Sequence, residues 1–261
     1  MNEYFSNTNW MLDRLGRFTA SEISNLFVSG RRDMTPEELE IEKQNKGKRR
    51  TVDTLFGDTA INYIRTKAAE ILTQEVKDDV NVKQMEWGKS HEAEAWQRFE
   101  KETGLSGEYY GAANPKFFPV GDFLGYSPDW LTVPMGEAVA DIKCPYNSIE
   151  HLKNLMLQSA ADLEKERWEY YCQLQFSMLH SGSKCAYFVS YDPRFVYDWM
   201  QIKILTIYPD QAWLEEYNKR IEPAIEELKT MVKQFTNPGV IASHDPELKA
   251  TIIESIKLQK I

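Results

Sequence analysis

The chain has 261 residues, 42% of them hydrophobic and 27% charged, a composition that excludes a disordered chain and fits one folded domain. No apolar run reaches the ~18 residues that cross a bilayer, and the polar start MNEYFSNTNW carries no basic-then-apolar leader, so a cytoplasmic protein with no membrane part is expected. Cys144, Cys172 and Cys185 form no CxxC, which excludes a four-cysteine zinc site and an iron–sulfur cluster; the net charge of −9 argues against a broad basic grip on nucleic acid, so any such role must rest on local charge or bound metal.

In chain order, residues 10–27 read as a strand or loop followed by a helix. Thr19-Ala20-Ser21-Glu22 has the spacing of a capping box, and Ile23, Leu26 and Phe27 follow at helical spacing. Residues 29–50 are highly polar, with a short helix from Pro36 to Glu42. Lys43, Lys46, Lys48, Arg49 and Arg50 then make a basic run that is either a solvated loop or a phosphate-contacting one. Helices are predicted over 54–72 and over 85–102, the second ending at Gly104. Residues 117–143 read as β-structure with a turn near Pro134-Met135-Gly136. Helices over 149–160 and 164–180 follow, the latter closed by Gly182, then strands over Cys185–Tyr191 and Met200–Ile207. A long helix after Pro209 is expected to bend at Pro223. No repeat or linker divides the chain. The expectation is a single α/β domain over 1–261, a mixed sheet with helices on both sides and a C-terminal helical extension at about 209–261.

Asp141 and Lys143 stand two apart on an apolar strand and project to the same face. Asp129 follows Ser127-Pro128 in the turn before it. Burying such charges is costly without a partner. Two carboxylates from adjacent β segments make an oxygen-rich site of the kind Mg²⁺ or Mn²⁺ prefers, and a lysine beside them can orient and help deprotonate a water, or stabilise developing charge on a phosphate. An ordinary turn aspartate and a strand-edge Asp/Lys pair would show the same short pattern. Glu92 strengthens the metal alternative: it shares a helical face with Ala95, Trp96 and Phe99, while Glu94 falls opposite, and Gly88 one turn earlier would allow close approach. Gln173 sits on helix 164–180 between Tyr170 and Ser177, where it would serve a catalytic water or a plain internal hydrogen bond. His91, His151, His180 and His244 show no ligand spacing. Trp10, Trp87, Trp130 and Trp168 are taken as core or interface aromatics.

These motifs resemble a PD-(D/E)XK nuclease signature, Ser127-Pro128-Asp129 followed by Asp141-Ile142-Lys143-Cys144-Pro145. The wider pattern resembles the phage lambda exonuclease family, the YqaJ-like viral recombinases. It includes Arg14 to Glu22, Trp87 to Glu92, Gln173 to Met178 and Tyr187 to Arg194, which with the signature make five ordered blocks within roughly residues 10–200. The resemblance implies a restriction-endonuclease-like core and a Mg²⁺-dependent 5′→3′ exonuclease acting on double-stranded DNA ends, with two ions per site and Mn²⁺ as a substitute. It implies Glu92, Asp129, Asp141 and the Ile142 carbonyl as metal ligands, Lys143 serving the attacking water, and Gln173 lining the site. Arg14 and Ser21 would hold the terminal 5′-phosphate, and Met85 would be the apolar wedge that parts the terminal base pair. It further implies a homotrimeric ring around DNA, a single-strand annealing protein as partner in recombination, and a phage or prophage origin in a bacterial host. Two other readings remain: another PD-(D/E)XK nuclease, such as an endonuclease or a Cas4-like exonuclease, and a catalytically silent DNA-end-binding scaffold.

Overall fold

The structure, a computed structural model, describes residues 10–75, 82–111 and 114–235, with backbone alone at 82–85. After β1 (Phe18–Thr19) comes a 3-10 helix (Ala20–Phe27). Then follow β2 (Gly30–Asp33), α1 (Pro36–Gln44), β3 (Thr51–Thr54), α2 (Asp58–Thr73), α3 (Val82–Thr103), β4 (Gly107–Tyr109), β5 (Phe118–Val120), β6 (Leu124–Tyr126), β7 (Trp130–Thr132) and β8 (Ala138–Lys143). The chain continues through α4 (Ser148–Met156), α5 (Ala160–Glu166), α6 (Trp168–Ser181), β9 (Cys185–Tyr191), β10 (Ile202–Ile207) and α7 (Gln211–Phe235).

A five-stranded sheet in the order β10-β9-β8-β7-β4 forms the centre, with β8 in the middle. The β8–β9 pair is parallel and the other pairs are antiparallel. Residues 138–142 of β8 are all buried, as expected of a strand covered on both faces. Ala138, Ala140 and Ile142 pack with Ala95 and Phe99 of α3 and with Trp130. Val139 joins the larger core with Leu174 and Phe176 of α6, Phe188 of β9, and Tyr217, Ile221 and Leu228 of α7. The mixed sheet between helical layers agrees with the expected fold class. Strand alternation therefore sends Asp141 and Lys143 to the α6 side.

Several elements differ from expectation. The helices expected at 149–160 and 164–180 are three, because Leu157 leaves the helical conformation, Ser159 caps a new helix through Asp162 N, and Arg167 interrupts the chain again. The capping box at Thr19 does not form: the Thr19 amide donates to Tyr63 Oη (3.0 Å), and the element that follows is a 3-10 helix with no side-chain cap. A capping box does form one element later, between Thr35 and Glu38. The polar stretch 29–50 is an ordered arm. Strands β2 and β3 pair antiparallel around α1, and Arg31, Arg32, Lys43 and Arg49 are ion-paired to Asp53, Glu38, Glu40 and Glu42. Most of that segment's basic charge is thus answered locally. The long helix expected after Pro209 is present as α7, with Pro223 inside it. The remainder of the expected C-terminal extension, residues 236–261, and His244 within it lie outside the described residues.

Candidate active site

Pairing between β7 and β8 ends at Trp130↔Ala140, which leaves the next amide on that edge of β8 without a strand partner. Asp129 takes its place: Ile142 N donates to Asp129 Oδ2 at 2.6 Å, while Asp129 N donates to Ala140 O at 3.2 Å. The turn aspartate is locked to the central strand by the same hydrogen bonds that end the ladder. Asp141, 4% exposed, accepts from Gln173 Nε2 through Oδ1 at 2.6 Å. Its Oδ2 lies 2.6 Å from Lys143 Nζ yet takes no hydrogen bond of normal geometry. Lys143 Nζ also donates to Gln173 Oε1 (3.3 Å) and sits over the Tyr170 ring. The Gln173 amide therefore donates to the carboxylate and accepts from the ammonium, which fixes both.

Burial pushes Asp129 well above the usual carboxylate range, and the neighbouring charges of Asp141 and Glu92 push it further. Burial pulls Lys143 down, but Asp141 and Asp129 outweigh it and hold the group as ammonium. These contacts fix Lys143 as a cationic donor between Asp141 and Gln173. Glu92 projects from α3 into the same cavity, and the Tyr109 hydroxyl lies in hydrogen-bonding reach of it. Tyr109 itself stacks on Trp96 (4.8 Å, 2° between planes). Glu94 is exposed, beside Tyr191, as the helical phase requires. Gly88 also lines the cavity, and a Cβ there would meet no protein atom within 4 Å.

The cavity has a volume of about 690 Å³ and continues past Asp129 to Trp10, Arg14 and Ser21. Arg14 Nη2 donates to Thr19 Oγ1 (3.5 Å) and Ser21 Oγ (3.4 Å), and its guanidinium lies 4.4 Å from the Trp10 ring. Burial lowers its pKa, with Glu22 acting the other way. Glu22, in the first turn, would repel an anion; Lys67 lies 3.3 Å from it but is shared with Glu70 at 2.9 Å. Both ends of the expected site, Asp129/Asp141/Lys143/Gln173/Glu92 and Arg14/Ser21, therefore open on one space. Met85 lies on α3, but its side chain is outside the described residues.

Sequence reasoning missed three lining or supporting groups. Trp10 is not a core aromatic: its Nε1 donates to Ser127 Oγ at 2.6 Å beside the cavity. Tyr109 lies on a three-residue strand too short to show a period. Arg167 reaches the cavity from a break in what reads as helix. Among the histidines, His151 is fully buried and bonded to Ser190 and Met200 O. Among the described residues, no three His, Cys, Asp or Glu side chains stand ready-gathered as a metal cage. The fit to a hard cation rests instead on buried Asp141 and half-buried Asp129, one Asp141 oxygen without a hydrogen bond, and an Asp129 carboxyl whose pKa burial and like charge raise. Each of these is relieved by a divalent ion.

An aspartate at the end of one strand and Asp-x-Lys on the next, within a mixed sheet between helices, define a PD-(D/E)XK-like fold. The model of the YqaJ-like viral recombinase domain matches residues 9–184, and the chain belongs to that family. Among solved structures it is similar to an alkaline exonuclease from Laribacter hongkongensis, with 24% identity over 94% of this chain and 98% of the other and a TM-score of 0.63. The same enzyme in complex with dAMP gives 23% identity over 95% and 98% and a TM-score of 0.62. A phage-related exonuclease from Haemophilus somnus gives 14% identity over 84% and 96% and a TM-score of 0.61. No curated protein matches the chain. Among the described residues no helix is long and apolar enough to cross a membrane.

Proposed function

We propose that this chain is a metal-dependent nuclease that degrades one strand of linear double-stranded DNA 5′→3′ from its ends. The 3′ single-stranded overhangs it leaves would feed recombination by strand annealing. The observation that carries the reading is one cavity joining the Asp129–Asp141–Lys143–Gln173 lattice to the Arg14–Ser21 pair. Membership in a viral recombinase family and likeness to proteins named exonucleases support it.

In this reading Asp129, Asp141, the Ile142 carbonyl and Glu92 hold two Mg²⁺, or Mn²⁺ in their place. Such ions supply Lewis-acid stabilisation of the phosphoryl group and a water acidic enough to attack at neutral pH. Lys143, kept cationic by its aspartates, donates to the attacking water or to a phosphoryl oxygen. Gln173 keeps Lys143 and Asp141 from drifting apart. Arg14 offers a forked, permanently charged donor and Ser21 a hydroxyl to a terminal 5′-phosphate, and Met85 parts the terminal base pair. With net charge −9 the chain has little general hold on DNA, so three copies closed into a ring retain the duplex by topology. A single-strand annealing protein receives the overhang in the cytoplasm of a bacterial host carrying the phage or prophage.

The test compares linear duplex with covalently closed circles, and 5′-phosphate ends with 5′-hydroxyl ends. The wild type should digest only the linear forms, prefer the phosphorylated one, and lose that preference in Arg14→Ala. Cleavage of closed circles would mark an endonuclease instead, and equal rates on both ends would remove the phosphate anchor. Light scattering reads the ring directly: a monomer at every working concentration excludes it.

A further inference from the structure

Arg167 is the single residue between α5 and α6, with φ −142° and ψ 53°, conformations of neither helix. Its amide closes α5 on Leu163 O (2.8 Å) and its carbonyl accepts from the amides of Tyr170 and Tyr171 (3.0 Å each), so the backbone is fully used. The side chain, 16% exposed, turns to the wall of the cavity that holds Asp141 and Lys143.

A buried polar chain aims it. Nε donates to Asn154 Oδ1 (3.1 Å) and Nη2 to Glu150 Oε2 (2.7 Å). Asn154, 1% exposed, donates to Ser190 Oγ (3.0 Å), which also meets His151 Nδ1 (2.8 Å). Ser190 is the β9 residue in register with Lys143. Burying an amide, a hydroxyl and an imidazole costs free energy even when each is bonded, and what the arrangement secures is a guanidinium fixed relative to Lys143. Two of its five N–H groups are used. Nη1 has no protein partner among the described residues and is not among the buried unsatisfied atoms, so it faces open space. Glu150 does not cancel the site, because Lys153 also pairs with it (2.8 Å). Two cations to one carboxylate leave the cluster net positive.

We propose that Arg167 binds a backbone phosphate of the DNA strand in the cavity, a second anion contact distinct from the Arg14–Ser21 end. The inference rests on the nuclease reading above. Arg167 touches substrate but not the reacting atoms, so it governs affinity and leaves the chemical step alone.

The experiment measures binding of a fluorescein-labelled linear duplex by anisotropy over a salt series, without divalent metal, alongside steady-state digestion with Mg²⁺. Arg167→Gln should weaken binding about tenfold and reduce the slope of log affinity against log salt by about one. KM should rise with kcat unchanged. Glu150→Gln, which frees the guanidinium from its acidic partner, should tighten binding several-fold. A structural role predicts loss in both variants, so opposite signs carry the proposal even where Arg167→Gln is poorly folded. Wild-type affinity and slope in Arg167→Gln, or weaker binding in Glu150→Gln, overturns it while leaving the nuclease reading standing. A wild type that does not bind linear duplex overturns both.

Discussion

Asp129, in the turn before β7, comes to Asp141 of β8 because a single amide, Ile142 N, lies where the β7–β8 ladder stops. Their charges are then too close to be comfortable, and Lys143 alone offsets them only in part. That imbalance is the physical argument for a cation. Asp129 was legible in the sequence because it follows Ser127-Pro128 in a turn between β segments, and Asp141 and Lys143 because alternation along an apolar strand dictates a shared face. Glu92 was legible for the same reason on a helix, since three and four residues on stand Ala95, buried, and Trp96. Glu92→Gln should therefore raise the Mg²⁺ requirement and cut digestion by at least ~10-fold, the scale on which ligand-sphere changes act. Glu94→Gln, on the exposed side beside Tyr191, should change the rate less than about two-fold, an effect too small to touch the barrier. Digestion rates at several Mg²⁺ concentrations decide it, and equal effects from the two substitutions would show that Glu92 serves no metal. Arg167 was not legible: nothing in Lys165-Glu166-Arg167-Trp168 breaks a helix, and only the packing of Leu163 and Asn154 reveals the interruption.

At the scale of elements, the longest strands were the ones read with nearly the right bounds, β9 and, begun two residues early, β10. Cys185–Tyr191 is a seven-residue run with the expected bounds. The strands that were missed, β2, β3 and β4, are three or four residues long and half-exposed, so no period could develop. The capping box failed for a tertiary reason: Tyr63 from α2 supplies the acceptor that Glu22 would have provided, and Lys67 from the same helix draws Glu22 away. Helices α6 and α7 meet at His180, which bonds Tyr217 Oη (3.1 Å) and lies against Phe176 (4.3 Å). Burial lowers its pKa to about 4. Between the ordinary histidine value of about 6.5 and that value, the unfolded chain takes up a proton that the folded chain refuses. Stability tied to this group is therefore present above about pH 6.5 and lost as pH falls toward 4. His180→Gln should flatten the fall of the urea midpoint across that window relative to wild type. An unchanged slope would mean that His180 does not carry it.

At the scale of the whole molecule, an acidic chain that handles DNA must concentrate its few useful cations, and the structure does so. Arg14, Lys143 and Arg167 line one cavity, while most of the basic residues of the polar arm 29–50 are spent on local carboxylates. The sequence pattern pointed to the family and to the α/β core. It could not show that the polar arm is ordered or that the two ends of the site share a single space, because both depend on contacts between residues far apart in the chain. In the proposed function this cavity hydrolyses phosphodiester bonds with Lys143 as its fixed cation. The direct measurement is Mg²⁺-dependent release of nucleotides from a 5′-labelled linear duplex by wild type and by Lys143→Ala at matched DNA-end occupancy. Release by the wild type should stop with EDTA and fall at least ~10²-fold in Lys143→Ala, with DNA-end binding retained. Release at the wild-type rate by Lys143→Ala, or none from the wild type with Mg²⁺ present, would contradict it.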